Sequence, residues 1–172
     1  MRNIEKTAQL FKMICDQYDG ADLGKKAAQK LFYFFERKGI DLNLRYGIHY
    51  YGPYSAKLED AMYELEGEGY LSIDISKSTH IISAGRKAVQ EGCLPEEEEI
   101  IAKQVLQTFA HRKPLELEAL STMDYIANSI LPKDASDEDI IAKFKEIKAE
   151  KFKESVIEQT LEELKELGLI VA

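Results

Sequence analysis

The sequence predicts a mainly α-helical fold with a minor β part, and three observations support that prediction. Apolar residues recur at helical spacing over most of the 172 residues, which is typical of amphipathic helices packed on a shared core. Short runs of β-branched and aromatic residues occur around residues 42–51 and 70–83. Serine, glycine and proline interrupt the helical stretches at positions suited to caps and turns.

The first part of the chain, residues 1–93, has the element order of a winged helix-turn-helix domain. Its hydrophobic second helix is apolar around more than half of its circumference, so we expect it to be buried on several sides. The predicted elements are, in order, a helix capped by Asn3, a helix that ends at Gly39, an extended stretch over 42–51, a helix capped by Ser55, a β-hairpin over 70–83 and a short helix over 84–92.

The second part, residues 94–172, is predicted to be a helical domain with a helix-turn-helix-like arrangement. Leu94-Pro95 marks the boundary, and the two domains are expected to pack as one unit. Ser136 and Asp139 have the spacing of a capping box at the start of one helix. A last helix ends at Gly168, and the final residues, LIVA, are expected to form a short strand.

One internal similarity has two interpretations. Residues 54–71 align with residues 153–170 when Gly69 is set against Gly168. The alignment indicates either two related helix-turn-helix units or two amphipathic helices that merely end in the same way.

Composition restricts the functions to be considered. The net charge of −8 opposes non-specific binding to nucleic acids, which depends on lysine and arginine neutralising phosphates. Cys15 and Cys93 are far apart in apolar surroundings, which indicates free thiols. The polar N-terminus and the lack of long apolar runs predict a cytoplasmic protein with no membrane span.

No catalytic motif is apparent. The three histidines, His49, His80 and His111, lie far from one another and from the cysteines, and no phosphate-binding loop or nucleophile motif occurs. We therefore expect no catalytic residue, no metal site, no cofactor and no enzymatic activity.

DNA binding is an alternative that the winged-helix order suggests. The helix before the hairpin, which would enter the major groove, carries mostly acidic residues and a single lysine, Lys57. DNA binding by this helix is therefore disfavoured, although the alternative stays open.

The stretch HYYGPYS, residues 49–55, is the most unusual feature of the chain. Gly52 and Pro53 predict a sharp turn into the helix that Ser55 caps. The tyrosines in and beside it have three interpretations, namely packing against the phenylalanines of the second helix, anchoring a protein interface, or stacking nucleic-acid bases.

Two motifs carry a resemblance to a known family. Gln29-Lys30-Leu31 with Tyr33, followed by Tyr51-Gly52-Pro53-Tyr54-Ser55, resembles the shared segment of the SocA-like antitoxin (Panacea) domains and the related YwgA-type proteins. The resemblance implies a mostly helical fold with winged-helix character and no cofactor. It also implies a regulatory role through protein contact, as an antitoxin or proteolytic adaptor, or a role in transcription.

These observations favour a non-enzymatic cytoplasmic module that binds a protein, either a toxin-like partner or a second copy of the chain. The alternative is a winged-helix DNA-binding regulator. The candidate partner-binding residues are Lys30, Tyr33, Arg45, Tyr50, Tyr51, Gly52, Pro53 and Tyr54.

Overall fold

A computed structural model describes residues 3–171 of the chain. It is mainly helical with a small antiparallel sheet, which confirms the predicted fold class. The chain forms two compact units: an N-terminal unit of Met1–Gly47 and Tyr54–Arg112, and a C-terminal unit of Ile48–Pro53 and Lys113–Ala172.

The N-terminal unit combines helices with a three-stranded sheet. Its elements are α1 (Asn3–Gln17), β1 (Leu23–Gly24), α2 (Lys25–Arg37), α3 (Ala56–Gly67), β4 (Leu71–Asp74), β5 (Ile81–Ala84) and α4 (Glu96–Phe109). The sheet order is β1-β5-β4, and both pairings are antiparallel, with Ile73 opposite Ile82.

Helix α2 lies in the core of this unit, and every residue from 28 to 35 is buried. Phe32, Phe34 and Phe35 on this helix are fully buried. The ring of Phe34 stacks on that of Phe109 in α4, with centroids 3.9 Å apart. This packing places α4 in the N-terminal unit, so the boundary predicted at residues 93/94 lies inside that unit.

The C-terminal unit is helical, apart from the segment Ile48–Pro53 that it takes from the first half of the chain. Pro114 begins α5, and the predicted capping box is present, with the Asp139 amide donating to Ser136 Oγ at 3.1 Å. The helices are α5 (Pro114–Tyr125), a π-helical turn (Ile126–Ile130), α6 (Asp137–Lys148) and α7 (Glu154–Glu166).

A short two-stranded hairpin carries the chain from one unit into the other and back. It consists of β2 (Gly47–His49) and β3 (Gly52–Tyr54). The turn between the strands, Tyr50-Tyr51, is therefore part of the C-terminal unit, although it lies within the first third of the sequence.

Two local predictions differ from the structure, and one strand was not predicted. Residues 85–92 are not helical, because the amide of Gly85 donates to the Tyr70 carbonyl and prolongs the pairing of the hairpin. The end of the chain up to Val171 forms no strand, since the amides of Leu169 and Ile170 both donate to the carbonyl of Leu164 at the end of α7. Strand β1 was not expected from the sequence, as two residues carry no periodic pattern.

The two aligned segments end in the same way. Gly69 after α3 and Gly168 after α7 both have positive φ, at 89° and 71°. In each case the next amide donates to a leucine carbonyl five residues earlier, Leu65 or Leu164, at 2.9 Å. This is the usual glycine-terminated helix end, so the shared ending by itself does not require a repeat.

Within residues 3–171, no helix has the length and apolar character required to cross a membrane.

Both cysteines are free thiols in the structure. Burial, with a smaller effect of the Asp16 charge, raises the pKa of the Cys15 thiol to about 11. A higher pKa leaves less thiolate at a given pH, and the thiolate is the reactive form.

We expect Cys15 in a Cys93→Ser variant to react with iodoacetamide about 10- to 100-fold more slowly in the folded protein than in urea at about pH 8. Equal reaction rates in the folded and the urea-unfolded protein would contradict a raised pKa of the Cys15 thiol.

Candidate partner-binding site at the tyrosine corner

The predicted site residues fall into accessible and inaccessible groups. Lys30 and Tyr33 are only 4% and 3% exposed, so they are not available to a partner. Their burial follows from the position of α2 at the centre of its unit, where the ring of Tyr33 meets those of Phe34 and Tyr46. Lys30 and Tyr33 are therefore removed from the set of candidate contact residues.

The remaining candidates lie on or beside the β2–β3 hairpin. Arg45, Tyr50 and Tyr51 are exposed, and Tyr54 is half-buried. Gly52 and Pro53 are buried and shape the backbone rather than offering contact groups, since Gly52 has a φ of +100°. Arg45 and Tyr54 belong to the N-terminal unit, and the segment Tyr50–Pro53 belongs to the C-terminal unit.

In the N-terminal unit, a buried polar cluster holds the chain immediately after the hairpin. Ser55 is fully buried and caps α3, accepting from the Leu58 amide at 3.0 Å. Its hydroxyl donates to the Leu44 carbonyl at 2.6 Å. The Gln29 amide group bonds both the N–H and the C=O of Ser55, each at 2.9 Å. The two stretches that carry the family resemblance are thus hydrogen-bonded to each other.

Tyr46 belongs to the same buried surroundings. Its hydroxyl donates to the Gln29 carbonyl at 2.9 Å. Burial raises the pKa of Tyr46 well above its usual value, and the nearby charge of Glu36 raises it further. Burial also raises the pKa of Glu36, although the bond from the Leu44 amide acts in the opposite direction. Tyr46 therefore acts as a neutral hydrogen-bond donor within the unit.

The loop that leads to the hairpin has an unusual backbone. Asn43 and Arg45 have positive φ values of 52° and 53°, in a region that residues with a side chain rarely occupy. The Leu44 amide between them donates to the Glu36 carboxylate at 2.6 Å. Such conformations persist only where the surrounding contacts impose them, so this stretch is held in one shape.

Tyr50 and Tyr51 form an exposed aromatic pair at the hairpin turn. Their side chains are 76% and 44% exposed. The rings meet edge to face, with centroids 4.8 Å apart and an angle of 84° between the planes. This is a favourable arrangement for two aromatic rings, so the pair has a defined geometry despite its exposure.

A buried charge cluster in the C-terminal unit supports this turn. Oε1 of Glu118 on α5 accepts from Nζ of Lys148 at 2.7 Å and from Nζ of Lys151 at 2.8 Å. Lys148 Nζ also donates to the backbone carbonyl of Tyr50 at 2.7 Å. The side chains of Glu118 and Lys148 are only 6% and 3% exposed. We refer to Glu118, Lys148 and Lys151 as the Glu118 cluster.

Lys151 joins the cluster to the aromatic pair. Its ammonium lies 5.2 Å from the ring centroid of Tyr50 and 5.1 Å from that of Tyr51. Distances of this size correspond to cation–π attraction. The corner therefore presents two oriented aromatic rings and one ammonium group on a buried ionic support.

Sequence reasoning missed all three residues of the Glu118 cluster. One signal was available for Lys148, which follows the buried residues Ile140 and Phe144 at the same four-residue spacing on α6. That spacing places a lysine on the buried face of the helix, where it needs an acidic partner. Glu118 lies among buried residues on α5, and no local pattern distinguishes it from a surface acid.

The structure also bears on metal binding. Among residues 3–171, no group of three or more histidine, cysteine, aspartate or glutamate side chains is placed to hold a metal ion.

Comparison with known proteins finds a similarity over part of the chain. No protein-family profile matches the chain. The chain is 42% identical over 48 residues to a DNA ADP-ribosyl glycohydrolase of Thermus aquaticus. The match covers 28% of this chain and 13% of that protein. The prediction that the chain is not an enzyme is corrected by this match, because the similar protein is named as an enzyme.

Proposed function

We propose that the chain is a cytoplasmic regulatory module that binds a protein partner, in the manner of an antitoxin or adaptor, through the tyrosine corner. The observation that carries the proposal is the exposed pair Tyr50 and Tyr51, held in one geometry above the Glu118 cluster. The resemblance of the Gln29–Tyr33 and Tyr51–Ser55 stretches to antitoxin-type domains supports the same role.

The tyrosine corner is preorganised for binding. Tyrosine is enriched at the energetic centres of protein interfaces, since it offers a large ring and a polar tip with few rotatable bonds. At this corner the backbone is tied to α6 by Lys148, and the rings are oriented by each other and by Lys151. A surface that is already ordered loses less conformational entropy when it binds.

We expect Tyr50→Ala to weaken binding of the partner by about 30-fold, which corresponds to about 2 kcal/mol for an aromatic hot spot. The free energy of unfolding should change by less than about 1 kcal/mol, because the ring is mostly exposed. The partner is first identified by photo-crosslinking from position 50 in the native cell. Its affinity for the purified variants is then measured by calorimetry.

Tyr63→Ala is the control, because Tyr63 on α3 is an exposed tyrosine away from the corner, 46% exposed against 76% for Tyr50. It should bind the partner like the unsubstituted protein. A Tyr50→Ala variant that keeps full affinity, or an equal loss in Tyr63→Ala, would exclude the corner as the contact surface.

A second candidate is a role directed at DNA, and two observations favour it. The partial relative is named for removing ADP-ribose from DNA. In the N-terminal unit the β4–β5 hairpin follows α3 and β1 pairs with β5, which supports a winged-helix hypothesis. The acidic residues Asp60 and Glu64 on the exposed face of α3 oppose binding of phosphates by that helix.

Two assays separate this candidate from protein binding. An electrophoretic shift at low salt tests affinity for duplex DNA, and release of ADP-ribose from an ADP-ribosylated oligonucleotide tests the activity named for the relative. Release that requires the folded chain would support the second candidate. The absence of both a shift and ADP-ribose release at high protein concentration would exclude the second candidate.

A further inference from the structure

The Glu118 cluster carries an excess of positive charge. Two ammonium groups, those of Lys148 and Lys151, share a single carboxylate oxygen of Glu118. One positive charge of the two is therefore left without a balancing negative charge inside the cluster. Because buried charges are costly unless they are paired, the excess is most easily balanced where the cluster meets the surface.

Lys151 is the member through which the excess charge reaches the surface. Its side chain is 27% exposed, whereas that of Lys148 is 3% exposed. An ammonium group has three N–H donors, and Lys151 directs one of them to Glu118 at 2.8 Å. The same nitrogen lies beside both rings of the exposed aromatic pair. A charged donor and two apolar rings thus occupy one small area of surface.

We infer that the partner bound at the tyrosine corner presents an acidic side chain next to an apolar one. The carboxylate accepts a hydrogen bond from Lys151, and the apolar side chain packs on Tyr50 and Tyr51. This inference rests on the proposed function and specifies the chemistry of the partner. Charge-assisted hydrogen bonds are stronger than neutral ones, so the carboxylate adds affinity as well as selectivity.

The charges around the corner favour an acidic protein segment over a nucleic acid. Glu150 and Glu154 are exposed residues near Lys151 in the sequence, Glu154 is paired with Lys145 at 2.7 Å, and the whole chain has a net charge of −8. Binding to a nucleic acid requires many cations along a row of phosphates. Beside the aromatic pair, Lys151 offers one ammonium, which suits one carboxylate rather than a continuous row of phosphates.

The test measures fluorescence anisotropy of short labelled peptides that contain leucine and phenylalanine with either glutamate or glutamine between them. We expect the glutamate peptide to bind about tenfold more tightly than the glutamine peptide at low salt, with the difference reduced as salt screens the charge. Lys151→Gln should abolish that difference. Lys143→Gln should preserve it, since Lys143 pairs with Glu146 on the exposed surface of α6.

The outcomes separate this inference from the proposed function. Equal affinity for the two peptides, with both lost in Tyr50→Ala, would overturn the acidic partner and leave the corner as a binding site. Peptide binding that is unaffected by Tyr50→Ala would overturn the inference, and so would a failure of both peptides to bind. The proposed function is tested separately, by the effect of Tyr50→Ala on the affinity for the crosslinked partner. Tighter binding of an oligothymidine probe, lost in Lys151→Gln, would assign the site to nucleic acid instead.

Discussion

Replacing Glu118 with glutamine is expected to lower the free energy of unfolding of the C-terminal unit by about 3 to 5 kcal/mol, the usual cost of leaving a buried charge without its partner. Glutamine preserves the shape and one acceptor oxygen but removes the negative charge. The ammonium of Lys148, with its side chain 3% exposed, then lacks a counter-ion. Urea denaturation followed by circular dichroism measures the change.

Glu146→Gln on α6 is the matched control for this prediction. It removes the same charge from an ion pair with Lys143, but the Glu146 side chain is 69% exposed and the pair is separated by 3.3 Å. Exposed pairs contribute little, so the expected change is within about 0.5 kcal/mol. Equal effects of the two substitutions would show that the Glu118 cluster is not a buried ionic support.

A double substitution separates stability from positioning. Glu118→Leu combined with Lys148→Met replaces the buried pair by apolar side chains of similar volume, which is often neutral or stabilising. The Tyr50 carbonyl then loses the ammonium that binds it at 2.7 Å. We expect a folded protein with a less ordered corner and weaker binding of the partner, as measured by melting temperature and calorimetry.

Much of the fold follows from local sequence patterns. The apolar residues of α2 predicted a helix buried on several sides, and the capping serines Ser55 and Ser136 marked two helix starts correctly. These features depend on residues a few positions apart, so they can be recognised along the chain. Strand β1 could not be recognised in this way, because its two residues are defined by pairing with β5 about 60 residues later.

In the candidate site, the sequence predicted the tyrosine turn but not the Glu118 cluster beneath it, because only the turn is built from neighbouring residues. The turn at Tyr50 is visible in the sequence because glycine, proline and tyrosine are adjacent there. Its support is not visible, because Lys148 is 98 residues away from Tyr50 and Glu118 is 30 residues away from Lys148. Charge pairs of this kind are set by which helix faces meet in the folded unit.

The cap at Ser55 gives the second large prediction. Ser55→Ala should lower the free energy of unfolding of the N-terminal unit by about 2 to 4 kcal/mol, the sum of a lost cap and an unsatisfied buried carbonyl. The lost cap is the bond from the Leu58 amide, and the carbonyl is that of Leu44, which the Ser55 hydroxyl binds at 2.6 Å. Urea denaturation measures the total loss of unfolding free energy, and hydrogen exchange of the α3 amides shows whether the loss is localised at that helix.

Ser136→Ala is the control, because Ser136 caps α6 with the same kind of bond but is exposed, and its cap bonds lie at the surface. Water can replace those bonds, so the expected loss is about 1 kcal/mol. The difference between the losses of unfolding free energy in Ser55→Ala and Ser136→Ala measures the contribution of burial to the cap. If both lost the same free energy, the polar cluster of Gln29, Leu44 and Ser55 would be an ordinary helix cap. A larger loss at Ser55 would mean that the cluster holds together the two stretches that carry the family resemblance, and with them the start of α3 after the tyrosine corner.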